Sequence, residues 1–123
     1  MARKVLIIED SPLDAQVVKE LLSQDGIEVS IASNGKDGIE MAKKIKPDLI
    51  TLDLMLPDMN GMEVCAKLKK EEALHDSIVV ILSIKDSPED VTAAYHAGAD
   101  DYIFKPPAPE FLAKKLRLYL GLR

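Results

Sequence analysis

Short, β-branched apolar runs alternate along the chain with longer segments in which apolar residues recur at helical spacing. Residues 5–8, 49–52 and 78–82 are almost unbroken apolar runs, the pattern of strands covered by helices on both faces. Residues 28–32 instead alternate polar with apolar, with Val29 and Ile31 predicted inward, so this segment reads as a half-exposed edge strand. Tyr102, Ile103 and Phe104 form a fifth, brief strand that must stop at Pro106, where a ladder donor is missing.

Five segments of helical period accompany these strands. Ser11 and Pro12 are an N-cap and first-turn pair, followed by Val17, Val18, Leu21 and Leu22 as an inward stripe that ends at Gly26. Asn34-Gly35 reads as a turn before residues 36–46, which carry Ile39, Ala42 and Ile45 at helical spacing and stop before Pro47. Residues 61–70 bury Val64, Cys65 and Leu68. Ser87, Pro88, Glu89 and Asp90 open a fourth helix with a cap, a proline and two acids suited to the macrodipole, and Gly98 ends it. Residues 110–120 turn Leu112, Leu116 and Leu120 inward and place Lys114, Lys115 and Arg117 late, where cations are favoured.

Strands alternating with helices predict an α/β fold: a doubly wound, five-stranded parallel sheet with right-handed crossovers and helices on both faces. Such sheets carry their sites at the carboxyl ends of the strands. Here the first strand ends at Glu9 and Asp10, the third at Asp53, the fourth at Ser83 and the fifth at Lys105. Three carboxylates, a hydroxyl and a lysine are therefore predicted on one edge.

Composition acts mainly by exclusion. A chain of 123 residues fits one domain, residues 1–123, that needs no disulfide or structural metal. Sixteen basic against 21 acidic residues leave a net charge of −5, without the phosphate-binding footprint of a nucleic-acid partner. Cys65 is the only cysteine, which excludes an internal disulfide and a multi-cysteine zinc site and leaves it a core filler. His75 and His96 have no partner at ligand spacing and read as exposed. The basic start at Arg3 and Lys4 precedes only four apolar residues, short of the roughly 7 to 15 of a signal core. Residues 78–82 are far below the roughly 20 that span a bilayer. A soluble, cytoplasmic protein without membrane contact is expected.

Taken in order, several pieces resemble the receiver domain of two-component response regulators, and the resemblance covers the whole chain. They are Glu9-Asp10, Asp53 within the run ending at Pro57, Asn60-Gly61, Ser83, Gly98-Ala99, Tyr102 and Lys105-Pro106. The resemblance implies the flavodoxin-like strand order 2-1-3-4-5, in which the first and third strands are neighbours and Asp10 faces Asp53. It implies Asp53 as the phosphoacceptor, a carboxylate that becomes an aspartyl phosphate. Mg²⁺ would hold the crowded carboxylates ionised, ligated by Asp10 and Asp53, by Glu9 through water and by the Met55 carbonyl. Lys105 would neutralise one phosphoryl oxygen and Ser83 would donate to another. Tyr102 would turn into the space Ser83 leaves, so that the face of the fourth helix, fifth strand and fifth helix changes partners. A sensor histidine kinase or histidine phosphotransfer protein is the implied donor, and an effector the implied partner on that face. The Lys105–Pro106 bond is implied to be cis.

The departures concern rates. Glu9 stands where the family more often has Asp, and its extra methylene is expected to move the oxygen outward. Ile84 follows Ser83 where a small residue is usual, and is expected beside the phosphoryl site, while Met55 and Lys85 occupy positions that modulate phosphate loss. Two rivals use the same residues. A haloacid-dehalogenase-type phosphatase needs an acid two residues after its nucleophile, where this chain has Met55. A degenerate interaction module generally lacks an acid or the lysine, and Asp10, Asp53 and Lys105 are all present. Finally, Glu89, Asp90, Asp100 and Asp101 against Lys114, Lys115 and Arg117 suggest a weak, phosphorylation-enhanced homodimer.

Overall fold

The structure is a computed structural model that describes residues 3–23 and 26–122. Its elements follow in the order β1 (Arg3–Ile8), α1 (Pro12–Leu21), β2 (Ile27–Ala32), α2 (Gly35–Ile45), β3 (Leu49–Leu52), α3 (Gly61–Lys70), β4 (Ile78–Ser83), α4 (Pro88–His96), β5 (Asp101–Phe104) and α5 (Pro109–Tyr119). A short 3₁₀ turn, Glu72–Leu74, which the periodicity does not reveal, joins α3 to β4. All strand pairs are parallel, and the sheet order is β2-β1-β3-β4-β5.

The continuous apolar runs exist because the sheet is covered twice. Leu6, Ile8, Ile50, Leu52, Val79 and Ile81 point to one face, where they pack with Ala42, Val64, Cys65, Leu68 and Ala94 from α2, α3 and α4. Val5, Ile7, Leu49, Val80, Leu82 and Ile103 point to the other, against Ala15 and Val18 of α1 and Leu112 and Leu116 of α5. Side chains alternate faces along a strand, so both registers of each central strand must be apolar. Cys65 is fully buried, and burial pushes its thiol up to about 11, as suits a small core hydrophobe. Among the described residues, no helix is long and apolar enough to cross a membrane.

Capping follows the expected chemistry, with one change. The Ser11 and Ser87 hydroxyls accept the N–H groups of Asp14 at 3.2 Å and Asp90 at 3.1 Å. Asn34-Gly35, predicted as a turn, instead opens α2: the Asn34 Oδ1 accepts the Asp37 N–H at 2.8 Å, so Asn34 is the N-cap. Two inward assignments are also corrected. Val17 and Ile31 are exposed. The stripe of α1 that meets the sheet runs through Ala15, Val18 and Leu22, and Val17 lies about 100° around the helix from Val18. Ile31 sits near the end of the edge strand β2.

Candidate functional site

Glu9, Asp53, Ser83 and Lys105 each stand at or just beyond the end of a ladder. Ile8 pairs with Leu52, and the Asp53 N–H then donates to the Ile8 carbonyl at 3.0 Å while the Glu9 N–H donates to that of Ala32 at 2.9 Å. Ser83 pairs with Phe104, and the Lys105 N–H donates to the Ser83 carbonyl at 2.9 Å. Parallel strands all end on the same edge, so register alone brings these four residues together. Gly61 keeps the connection after β3 tight: a Cβ there would lie 2.4 Å from the Leu54 Cα and 2.7 Å from the Asp53 carbonyl oxygen.

The lysine is the centre of the arrangement. Its Nζ donates to Asp53 Oδ2 at 2.9 Å, to Asp14 Oδ2 at 2.8 Å and, in the shortest contact, to Glu9 Oε1. Glu9 also accepts the Ser11 N–H at 3.2 Å on Oε2, and Asp53 accepts the Met55 N–H at 3.0 Å on Oδ1. The expected outward displacement of Glu9 does not occur. Its side chain is buried and turned onto Lys105, whereas Asp10 is exposed and lines an open cleft with Met55, Asn60 and Lys85. Ile84 is exposed and lines an apolar groove with Val17, Leu21, Pro106 and Leu112 that also reaches Asp14 and Lys105. Ser83 is fully buried, and its Oγ accepts the Lys85 N–H at 3.3 Å. Tyr102 donates its hydroxyl to the Lys85 carbonyl at 2.6 Å, tying β5 to the loop after β4. The Lys105–Pro106 bond is cis.

Crowding three carboxylates around one ammonium shifts the titrations. Burial raises the Glu9 pKa to about 7, with the neighbouring Asp53 adding to the rise and the Lys105 bond opposing it. Burial works on Asp53 in the same direction, but there the bonds from Lys105 and Met55 win and hold the carboxyl below its ordinary value. Lys105 also loses hydration, yet the bonds to Asp14, Asp53 and Glu9 outweigh that loss and raise its pKa. Glu9 is thus the carboxyl of this cluster that burial brings into the neutral range.

Glu9, Asp10 and Asp53 can present oxygens that all lie within 4.8 Å of one another. An all-oxygen donor set, open to a cleft on one side, fits a hard divalent cation that keeps several waters. Two of these three acids, Glu9 and Asp53, are also the ones that Lys105 bridges.

Two residues of the site escape sequence reasoning. Asp14 reads as an ordinary first-turn acid of α1, and no local pattern ties it to the strand ends. Asp58 reads as a loop acid, yet its carboxylate accepts the N–H groups of Gly35 at 2.7 Å and Lys36 at 2.9 Å. Those bonds lower its pKa and tie the connection after β3 to the start of α2.

Comparison with known proteins agrees with this geometry. The sequence profile described as the response regulator receiver domain matches residues 5–117. The chain is similar to the nitrate/nitrite response regulator protein NarL of Escherichia coli K12, 46% identical over 114 residues that cover 91% of this chain and 52% of that protein. It is 32% identical to the DNA-binding response regulator MtrA of Mycolicibacterium smegmatis over 120 residues, 98% of this chain and 51% of that protein. The chain therefore spans about half the length of the curated relatives it matches. Among solved structures, a CheY-like receiver domain protein of Methanospirillum hungatei superposes with a TM-score of 0.90 at 29% identity, covering 98% of this chain and 95% of that one. The BeF3-activated receiver domain of Klebsiella pneumoniae RstA gives 0.85 at 31% identity, covering 96% and 98%. With a sheet in the order 2-1-3-4-5 and an acidic edge closed by a lysine, the chain belongs to the receiver domain family of two-component response regulators.

Proposed function

We propose that the chain, as one receiver domain over residues 1–123, takes a phosphoryl group onto Asp53 from a phosphohistidine of a sensor histidine kinase or histidine phosphotransfer protein. An Asp53 carboxylate oxygen attacks phosphorus, the phosphorus–nitrogen bond breaks, and the histidine leaves with the electron pair. The observation that carries this reading is the Lys105 ammonium 2.9 Å from Asp53 Oδ2 and bonded to Glu9 at the ends of the strands. A cation so placed can neutralise a phosphoryl oxygen on Asp53, and the Ser83 hydroxyl supplies a second donor. Asp10 and Asp53 would hold Mg²⁺ directly, Glu9 through water and Met55 through its carbonyl. When bound, the ion offsets the charge that gathers on the phosphoryl oxygens. Water later cleaves the acyl phosphate in the same site, the only other reaction assigned to the domain.

The readout is the face of α4, β5 and α5. Tyr102 links that face to the site through the Lys85 carbonyl, so movement of Ser83 and its loop is felt at β5. An effector would dock there, in the cytoplasm. A weak homodimer across the same face has less charge to draw on than the sequence suggests. Asp101 pairs with Lys115 at 3.0 Å and Asp100 with Lys69 at 2.8 Å within one chain.

Incubation with acetyl phosphate and Mg²⁺, read by intact mass, tests the reading. The parent should gain one phosphoryl group and Asp53→Asn none. Uptake by the Asn variant at the parent rate refutes the assignment. Turnover of unrelated phosphate esters would favour the phosphatase, and no uptake by the parent the degenerate module. Titration calorimetry should show weak Mg²⁺ binding that Asp10→Ala removes; unchanged binding refutes the ligand set.

A further inference from the structure

An ammonium has three N–H groups to place, on a flexible stem that loses much rotamer freedom when it is held. Lys105 gives two of them to Glu9 and Asp53, the groups that the proposed reaction uses. The third goes to Asp14 Oδ2 at 2.8 Å, from the first turn of α1. Asp14 lies outside the metal-competent set of Glu9, Asp10 and Asp53. Its own place is firm, because the Ser11 cap holds its N–H and the adjacent Ala15 is buried against the sheet. The Lys105 side chain is 10% exposed and that of Asp14 45%, so the bond closes the lysine off on its solvent side.

The geometry points to Asp14 as a positioning residue: it anchors the Lys105 ammonium from the α1 side, so that the remaining N–H groups stay aimed at the phosphoryl group carried by Asp53. The inference rests on the reading of Asp53 as phosphoacceptor. Asp14 touches neither donor nor phosphoryl group and acts only through Lys105. Consistent with that, the bond from Asp14 ranks first among those that raise the Lys105 pKa. Anchoring and simple charge make opposite demands. Removing a carboxylate from an acidic site weakens its repulsion of an anionic phosphodonor, which by itself speeds transfer. Releasing the ammonium into several rotamers removes a preorganised donor, which slows it.

The test measures initial phosphorylation by acetyl phosphate and Mg²⁺, by intact mass, in the full chain. Asp14→Ala should be slower than the parent by roughly threefold to tenfold. Asp14→Asn should recover most of the rate, because the amide oxygen still accepts from Nζ. In a Lys105→Met background, assayed at raised donor concentration, Asp14→Ala should have no further effect. An Asp14→Ala protein as fast as the parent or faster overturns the inference. So does a slowing that persists without Lys105, or one that Asn fails to relieve. Melting curves confirm that each variant is folded, and if the alanine variant misfolds, Asp14→Leu, which also offers Nζ no acceptor, takes its place with and without Lys105. A parent that takes no phosphate removes the phosphoacceptor reading itself, whereas a phosphorylating parent with an indifferent Asp14 removes only this inference.

Discussion

Replacing Glu9 by Gln should stabilise the metal-free protein at mildly alkaline pH, although it deletes one partner of a buried ion pair. Glu9 titrates near 7 in the folded chain against an ordinary value of 4.5. Burial is the main cause, assisted by Asp53, and a single lysine shared among Glu9, Asp14 and Asp53 does not cancel it. At about 1.4 kcal/mol per pH unit, keeping Glu9 ionised costs the native state on the order of 3 kcal/mol above neutrality. The sign follows from proton binding. Between 4.5 and about 7 the folded chain holds a proton that the unfolded chain has released, so stability falls as pH rises through this window. Asp53, Asp58 and Asp101 are held below their ordinary 3.8 and act only in more acid solution. Lys105 is raised above its ordinary 10.5, so its contribution is lost only in strong alkali. Gln keeps an acceptor oxygen for Lys105 and removes the ionisation, which leaves an expected gain of about 1–2 kcal/mol at roughly pH 8 that shrinks toward pH 5. Urea denaturation in EDTA at the two pH values measures it, with both midpoint and slope fitted. A parent that is at least as stable at pH 8 as at pH 5 refutes the reasoning, as does a Gln variant with no advantage at the higher pH. Either result would mean that Lys105 fully neutralises Glu9.

Gly61→Ala should cost about 1–3 kcal/mol, because its Cβ meets backbone atoms of Leu54 and Asp53 that cannot rotate away; an unchanged urea midpoint would show that the loop yields. Asp101→Ala should cost about 1–2 kcal/mol, since Asp101 accepts from Tyr119 Oη at 2.6 Å, Lys115 Nζ at 3.0 Å and the Tyr102 N–H at 2.8 Å. Loss of much less than that in thermal or urea melts would mean that water replaces the carboxylate. Asp58→Ala should lower the melting temperature and speed amide exchange at Gly35 and Lys36, whose N–H groups it holds. Exchange at the parent rate would argue that the clamp is absent in solution.

Much of the molecule is written locally. Apolar runs such as Leu49 to Leu52, bounded by Pro47 and Asp53, are strands because both faces of a covered sheet demand apolar side chains at every position. Caps at Ser11 and Ser87 and the stop at Gly98 need only their own neighbours in the chain. Even the meeting of Glu9, Asp10, Asp53, Ser83 and Lys105 was legible, because parallel strands joined by right-handed crossovers must end on one edge.

What tertiary structure decided is where side chains point once the edge is assembled. Glu9 turns inward rather than outward because an ammonium from the far end of the sheet waits there to pair with it. Asp14, 91 residues from Lys105, becomes part of the site only when α1 and β5 pack onto the same sheet. Val17 and Ile31 have the apolar character of core residues but stay exposed once the helices are packed. Periodicity reports which face of an element is apolar. Which neighbour covers that face, and which of several acids a single lysine binds, depends on contacts between segments far apart in the chain, and no local pattern encodes them.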